Sequence, residues 1–206
     1  MGGYVNRFIK HEHANTRDAF VSAIGQERAE RVLASDDRIS AISREYSEIL
    51  RLFGRYVRNF QMRDESNVRD NAFFFCGNSP LGFKKIKEAM WKIDPVNGNE
   101  FSAYVVRKRE TQDDFLKEEP YLHGLKSEVL ERFAGQRDVF GKELKLWTDY
   151  ESERFLYTHL RYVLEELLSE GVVTYQAPSS STRKRRTNTW SDEGWFDFST
   201  VKPSSN

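Results

Sequence analysis

With one cysteine in 206 residues, Cys76, the chain cannot close an internal disulfide, and no Cys/His cluster stands at the spacing of a structural zinc site. Both absences point to the reducing cytoplasm, which is the expected location, and Cys76 reads as a small buried hydrophobe between apolar neighbours. Long apolar runs are missing too. The longest, Ala72-Phe73-Phe74-Phe75-Cys76, is five residues, whereas a membrane-spanning helix requires roughly 20, so no membrane partner is expected. The first residues carry no charged region followed by an apolar stretch, which argues against a secretory signal. Met1-Gly2-Gly3 is followed by Asn6 where a myristoylation site needs Ser or Thr. Neither sign of charge is in excess: 32 Lys and Arg balance 32 Asp and Glu, so an electrostatic partner has to be sought locally. A Gly-rich phosphate loop, a nucleophile elbow and a paired metal motif are all lacking. No catalytic residue, metal ligand or cofactor is assigned on motif grounds, and whether the chain takes part in an enzyme stays open.

What the sequence does have is periodicity. Asn15 can cap a helix that places Ala19, Phe20, Ala23 and Ile24 on one face and stops at Gly25, and a second short helix follows. Ile39, Ile42, Tyr46, Ile49, Leu50 and Phe53 recur at helical spacing up to Gly54, which predicts a helix facing the core. From Arg55 to Arg63 the pattern alternates, with Tyr56, Phe60 and Met62 on one side and Asn59 and Gln61 on the other, as in a strand. Asn71 to Gly77 carries Phe73, Phe74 and Phe75 in a row, so large apolar groups fall on both faces of a second strand that wants cover on both sides. Ser79-Pro80 starts a helix whose Phe83, Ile86, Met90 and Ile93 keep the helical period until Pro95. Residues 107–119 are charge-dense, Arg107-Lys108-Arg109 being answered by Asp113-Asp114 and Glu118-Glu119, and read as a linker. The tail Pro203-Ser204-Ser205-Asn206 is expected to be disordered.

The C-terminal part, 120–206, resolves into an ordered set of elements. Pro120 opens a helix with Leu122, Leu125, Val129, Leu130 and Phe133 on one face, closed by Gly135. Gly141 to Trp147 is a short second helix, with Leu144 and Trp147 three apart and Trp147 a packing residue. Thr148 and Glu151 have the spacing of a capping box, so a third helix is expected to begin there, with Leu156, Leu160, Val163, Leu164 and Leu167 inward and Arg154, Tyr157, Thr158 and Arg161 outward. Gly171 ends it. Val172 to Gln176 is a β-branched strand, and a loop containing Arg183-Lys184-Arg185-Arg186 returns to an aromatic strand around Trp195-Phe196-Asp197-Phe198. Three helices, a strand, a basic loop and a strand is the order of a winged helix-turn-helix domain.

Such a module is expected to bind nucleic acid, DNA or RNA. A third helix can enter a groove, where Arg154, Tyr157, Thr158 and Arg161 reach base edges or phosphates. Arg183, Lys184, Arg185 and Arg186 can lie along the phosphate backbone with release of counterions, and Asn188 and Trp190 can add hydrogen bonding and stacking. Against this, residues 120–206 hold 12 Lys and Arg and 13 Asp and Glu, a balance that suits a protein-docking module as well. The histidines carry no constellation: His11 and His13 flank Glu12 with no third ligand in view, and His123 and His159 read as packed at helix edges. Glu165-Glu166 read as surface charge.

Three stretches resemble one family. Asn6-Arg7-Phe8-Ile9-Lys10-His11-Glu12, Ala72-Phe73-Phe74-Phe75-Cys76-Gly77-Asn78 and, most specifically, Gly82 to Pro95 (GFKKIKEAMWKIDP) resemble the three-Cys-motif partner proteins, TcmP. The resemblance implies an α+β chain in which residues 1–106, helices plus a β-hairpin, are the C-terminal part of a methyltransferase-like α/β domain. Residues 107–119 are then a linker and 120–206 the winged helix domain. It implies that a cofactor-binding half belongs before Asn6, so this chain corresponds to a C-terminal portion and is not expected to bind S-adenosylmethionine. It also implies a three-cysteine-motif, radical-SAM-like protein as a partner. Without its sheet neighbour, the Asn71 to Gly77 strand invites pairing with a second copy, a homodimer through this region.

Overall fold

The computed structural model describes residues 14–63, 69–102, 120–178 and 190–202. The structure is mixed α+β, and the chain divides into two compact units, Met1–Glu118 and Glu119–Asn206. The stretches Asn6 to Glu12, with His11 and His13, the 107–119 linker, the basic residues Arg183 to Arg186, Asn188 and the 203–206 tail lie outside the described residues.

The first unit begins with α1 (Ala14–Ile24), α2 (Gln26–Leu33) and α3 (Arg38–Leu50). Helix α1 starts at Ala14, so Asn15 lies inside it and is not its cap. Gly25 separates α1 from α2 with φ 88°, a conformation that costs glycine little. Asp37 caps α3 by accepting the Ser40 N–H at 3.1 Å. The residues α3 buries are not the aliphatic row of its sequence pattern but Ala41, Ser43, Glu45 and Ser47. Tyr46 and Phe53 are exposed (42 % and 73 %), and Ile39, Ile42, Ile49 and Leu50 are half-buried. The reason is ionic: the Glu45 carboxylate, 5 % exposed, takes a two-pronged interaction from Arg31 Nε (3.0 Å) and Nη2 (2.7 Å), which turns that side of α3 toward α2.

Strands β1 (Tyr56–Arg63) and β2 (Arg69–Gly77) pair antiparallel, Tyr56 opposite Gly77 and Phe60 opposite Phe73, and β3 (Glu100–Ser102) runs parallel to β1, giving the order β2-β1-β3. Helices cover both faces. Gln61 donates to Ser43 Oγ at 3.0 Å and Phe74 meets Tyr46 edge-on at 4.9 Å on the α3 side. On the other side Tyr56 stacks on Phe83 of α4 (Pro80–Ile93) at 5.0 Å. The alternation expected for β1 is therefore not apolar against solvent. Arg58 is buried and donates to Gly98 O at 3.0 Å, while Met62 is 40 % exposed. Cys76, expected in the core, is exposed, its thiol directed to Leu50 O. It lies on the α3 side at the end of β2, where its thiol meets the last turn of α3 and the edge position leaves it open to solvent. Ser79 caps α4, accepting Gly82 N–H at 3.1 Å, with Pro80 in the first turn. After α4, the buried Asp94 carboxylate accepts backbone N–H groups from Val96, Asn97, Asn99 and Glu100 at 3.0–3.2 Å, closing the loop that launches β3.

The second unit holds α5 (His123–Phe133), β4 (Val139–Phe140), α6 (Gly141–Tyr150), α7 (Tyr157–Ser169), β5 (Thr174–Gln176) and β6 (Trp195–Asp197). Helix α5 starts three residues later than Pro120 suggests, on the Leu122 carbonyl, and ends before Gly135 at φ 73°. Its core is apolar: Leu125, Val129, Phe133, Leu144, Phe155, Leu160, Leu164, Leu167, Phe196 and Phe198 have no measurable exposure. Among the described residues the sheet has three strands, β4-β6-β5, all antiparallel, with the two-residue β4 pairing Val139 to Phe196 and Phe140 to Trp195. No helix among the described residues is long and apolar enough to cross a membrane.

Candidate nucleic-acid interface

The start of α7 is set by contacts that no local cap signal announces. Thr148 does not begin the helix. It lies within α6, fully buried, and its hydroxyl donates to Leu144 O at 2.8 Å, so the Thr148/Glu151 spacing forms no capping box. Six residues separate α6 from α7, and three side chains organise that passage. Asp149 Oδ1 accepts the Tyr157 N–H at 3.0 Å, Ser152 Oγ accepts the Phe155 N–H at 3.3 Å and donates to Glu128 at 2.8 Å, and His159 Nδ1 accepts the Leu156 N–H at 3.1 Å. His159, buried on the first turn, thus does the work of an N-terminal cap. A carboxylate at the helix N-terminus is favourable to the α7 dipole as well.

On this frame the outward residues separate. Arg154 is not on α7. It lies in the preceding turn, half-buried, its guanidinium carbon 4.3 Å from the Phe155 ring centre and its Nη2 against Gly124 of α5. Tyr157, the first residue of α7, is half-buried, edge-on to Trp190 at 6.1 Å, with Lys145 Nζ 4.7 Å from its ring centre. Burial pushes the Tyr157 hydroxyl above its usual acidity range, and the Asp192 charge adds to this. Thr158 and Arg161 are exposed, and the Arg161 guanidinium carbon stands 5.9 Å from the Trp190 ring centre. The structure therefore brings Tyr157, Thr158 and Arg161 together and sets Arg154 aside. Trp190 is not available for stacking on a base. It is 8 % exposed and packs edge-on against Phe196 at 5.2 Å, because the chain entering β6 must close the end of the core. Trp147 packs against Phe133 at 5.4 Å.

Two residues at this surface escape the sequence pattern. Lys145, which also reaches Asp192 at 3.4 Å, is contributed by α6 and carries no periodic signal of its own. Tyr162, 64 % exposed, follows Thr158 by four positions and was findable by that spacing. Toward its C-terminal end α7 turns acidic: Glu165, Glu166 and Glu170 are exposed, and Lys126 of α5 takes Glu166 at 2.7 Å and Glu170 at 2.9 Å. His123 is exposed, its ring parallel to Tyr121 at 6.2 Å. Among the described residues, no group of three His, Cys, Asp or Glu is placed to hold a metal ion.

In comparison with known proteins, no family model, no curated protein and no solved structure matches the chain.

Proposed function

We propose that the second unit is a winged helix-turn-helix module that binds nucleic acid, with the first two turns of α7 as the reading element. One observation carries this reading: Thr158 and Arg161 stand exposed at the start of a helix whose entry is fixed by Asp149, Ser152 and His159, with Lys145 from α6 alongside. A cation and a hydroxyl on a rigid helix start can reach base edges and phosphates without paying the ordering cost of a flexible loop. The basic residues Arg183, Lys184, Arg185 and Arg186, with Asn188, extend the same reading. The test is a titration against a labelled duplex DNA and a labelled duplex RNA in rising salt. Affinity should fall with salt, and Arg161→Ala should weaken binding about tenfold, the scale of one lost contact of roughly 1–3 kcal/mol. A chain that leaves both duplexes unbound at low salt would sink the reading.

A second reading is favoured by the acidic C-terminal half of α7 and the exposed Tyr162, which suit a protein partner better than a polyanion. In this version the module docks a three-cysteine-motif partner, the protein implied by the TcmP resemblance, and a pull-down with that partner decides it. For the first unit, helices on both faces and a β3 parallel to β1 support a role as the closing part of a methyltransferase-like domain. Calorimetry with S-adenosylmethionine should then give no heat. Phe73, half exposed on β2 at the sheet edge among the described residues, supports the homodimer through Asn71 to Gly77. Light scattering at the mass of one chain would refute it.

A further inference from the structure

The second unit has another surface that the α7 reading leaves unused. In the β4-β6-β5 sheet, Val139 and Phe196 turn into the core, so their neighbours Phe140 and Trp195 share the opposite, outer face. The register continues the row to Gln176 on β5, which is exposed. Trp195 is 37 % exposed, an unusual place for the largest side chain, and its ring centre lies 5.7 Å from that of Phe140. Above Phe140 stands an exposed cation, Lys142 Nζ, 5.7 Å from the ring centre. Lys142 and Lys145 are three residues apart on α6, one over Phe140 and the other over Tyr157 at the start of α7. Cations therefore join the aromatic face of the sheet to the proposed reading helix.

We infer that this outer face is a stacking platform for a single-stranded stretch of nucleic acid. Trp195 offers a π-face to an unpaired base with Phe140 packed beside it, Lys142 a counter-charge to the adjoining phosphate, and the Gln176 amide a donor and an acceptor for a base edge. Stacking on aromatics tolerates any base, which suits a site with little other sequence-reading chemistry. Asp197, two positions along β6 from Trp195, is a carboxylate that the Ser199 N–H, accepted at 2.7 Å, keeps ionised, so the strand's phosphates have to run on the Lys142 side of the face. The inference shares its ligand class with the α7 reading and is tested separately from it.

The experiment measures anisotropy of a labelled twelve-nucleotide oligodeoxythymidine and of a labelled duplex with the full chain at low salt. Trp195→Ala should weaken the single strand about tenfold, as loss of one stack of roughly 1–3 kcal/mol implies, and leave the duplex unchanged. Trp195→Phe, which keeps a ring, should retain most of the affinity, and Lys142→Glu should weaken the strand and flatten its salt dependence. The lysine is exposed and its variant does not threaten the fold. Duplex binding without any binding of the strand overturns the platform and leaves the α7 reading standing. Strand binding that Trp195→Ala reduces, with no duplex binding, does the reverse. Strand binding indifferent to both Trp195→Ala and Lys142→Glu overturns the platform, as does a Trp195-dependent affinity for a proline decamer in place of the strand.

Discussion

The two units differ in how much charge they bury. In the second, the residues with no measurable exposure are almost all Leu, Val and Phe, ten of them from α5 to Phe198. In the first, the interior includes Glu45, Arg58, Lys87 and Asp94, whereas Leu52, Phe53 and Leu81 stand 74 %, 73 % and 58 % exposed. The second unit is thus closed by apolar area removed from water, which is insensitive to direction. The first is pinned by directional polar contacts: Glu45 to Arg31, Arg58 to the Gly98 carbonyl, and Asp94 to four backbone amides. Polar pins of this kind fix geometry more sharply than they add stability, because desolvation takes back much of what the contacts contribute.

The comparison breaks hardest at the apolar core. Leu164→Ala removes a side chain buried completely among the helices of the second unit, and should destabilise that unit by about 2–5 kcal/mol. Residue-resolved hydrogen exchange checks it: protection should collapse across α5, α6 and α7 while β1 and α4 keep theirs. Next comes Asp94→Ala. With it the N–H groups of Val96, Asn97, Asn99 and Glu100 lose their acceptor, for a cost of about 3 kcal/mol given the strength of hydrogen bonds to a charged group. Here exchange should rise first around β3. Gly98, next to this loop, is constrained too: its φ is 61° and a Cβ there would meet the Trp91 ring at 2.4 Å.

The same contrast explains what the residues disclose in advance. Apolar periodicity is a local signal, and it located the helix that became α5 and the inward row Leu160, Val163, Leu164 and Leu167, all buried. The run Phe73, Phe74 and Phe75 likewise announced a strand with helices on both faces. Polar pins are not local. The start of α7 depends on Asp149, eight residues before Tyr157, and on a histidine in a role usually filled by Glu or Gln. Thr148 matched the capping pattern but was claimed by burial. The aliphatic row of α3 gave the helix correctly and its buried side incorrectly, because Arg31, far away in sequence, fixes Glu45. In the second unit the three helices and the strands β5 and β6 were legible, together with the exposure of Thr158 and Arg161. Trp195 was legible as part of an aromatic strand, but its partner Phe140 was not, since β4 is two residues long and too short to leave a pattern.

The smallest expected effects are of pH, and the two units should answer on opposite sides of neutrality. In the first, the hydrogen bonds from Arg31 hold the Glu45 carboxyl below its ordinary range. A carboxyl depressed by folding contributes stability that is fully present above its unfolded value, about 4.3, and lost as pH falls through the folded one. Arg31→Met should remove that acid sensitivity. In the second, Glu166 and Glu170 raise Lys126 above its ordinary range. Its contribution is complete below the unfolded value, about 10.4, and disappears as pH climbs through the folded one. Lys126 is a quarter exposed and its partners more so, so solvent screens this pair and the alkaline loss should be slight. Melting curves of the chain and of Arg31→Met and Lys126→Met, taken from pH 3 to pH 11, check the sign. A first unit as steady in mild acid as the Arg31→Met variant would mean that Glu45 holds α2 and α3 by shape and not by charge.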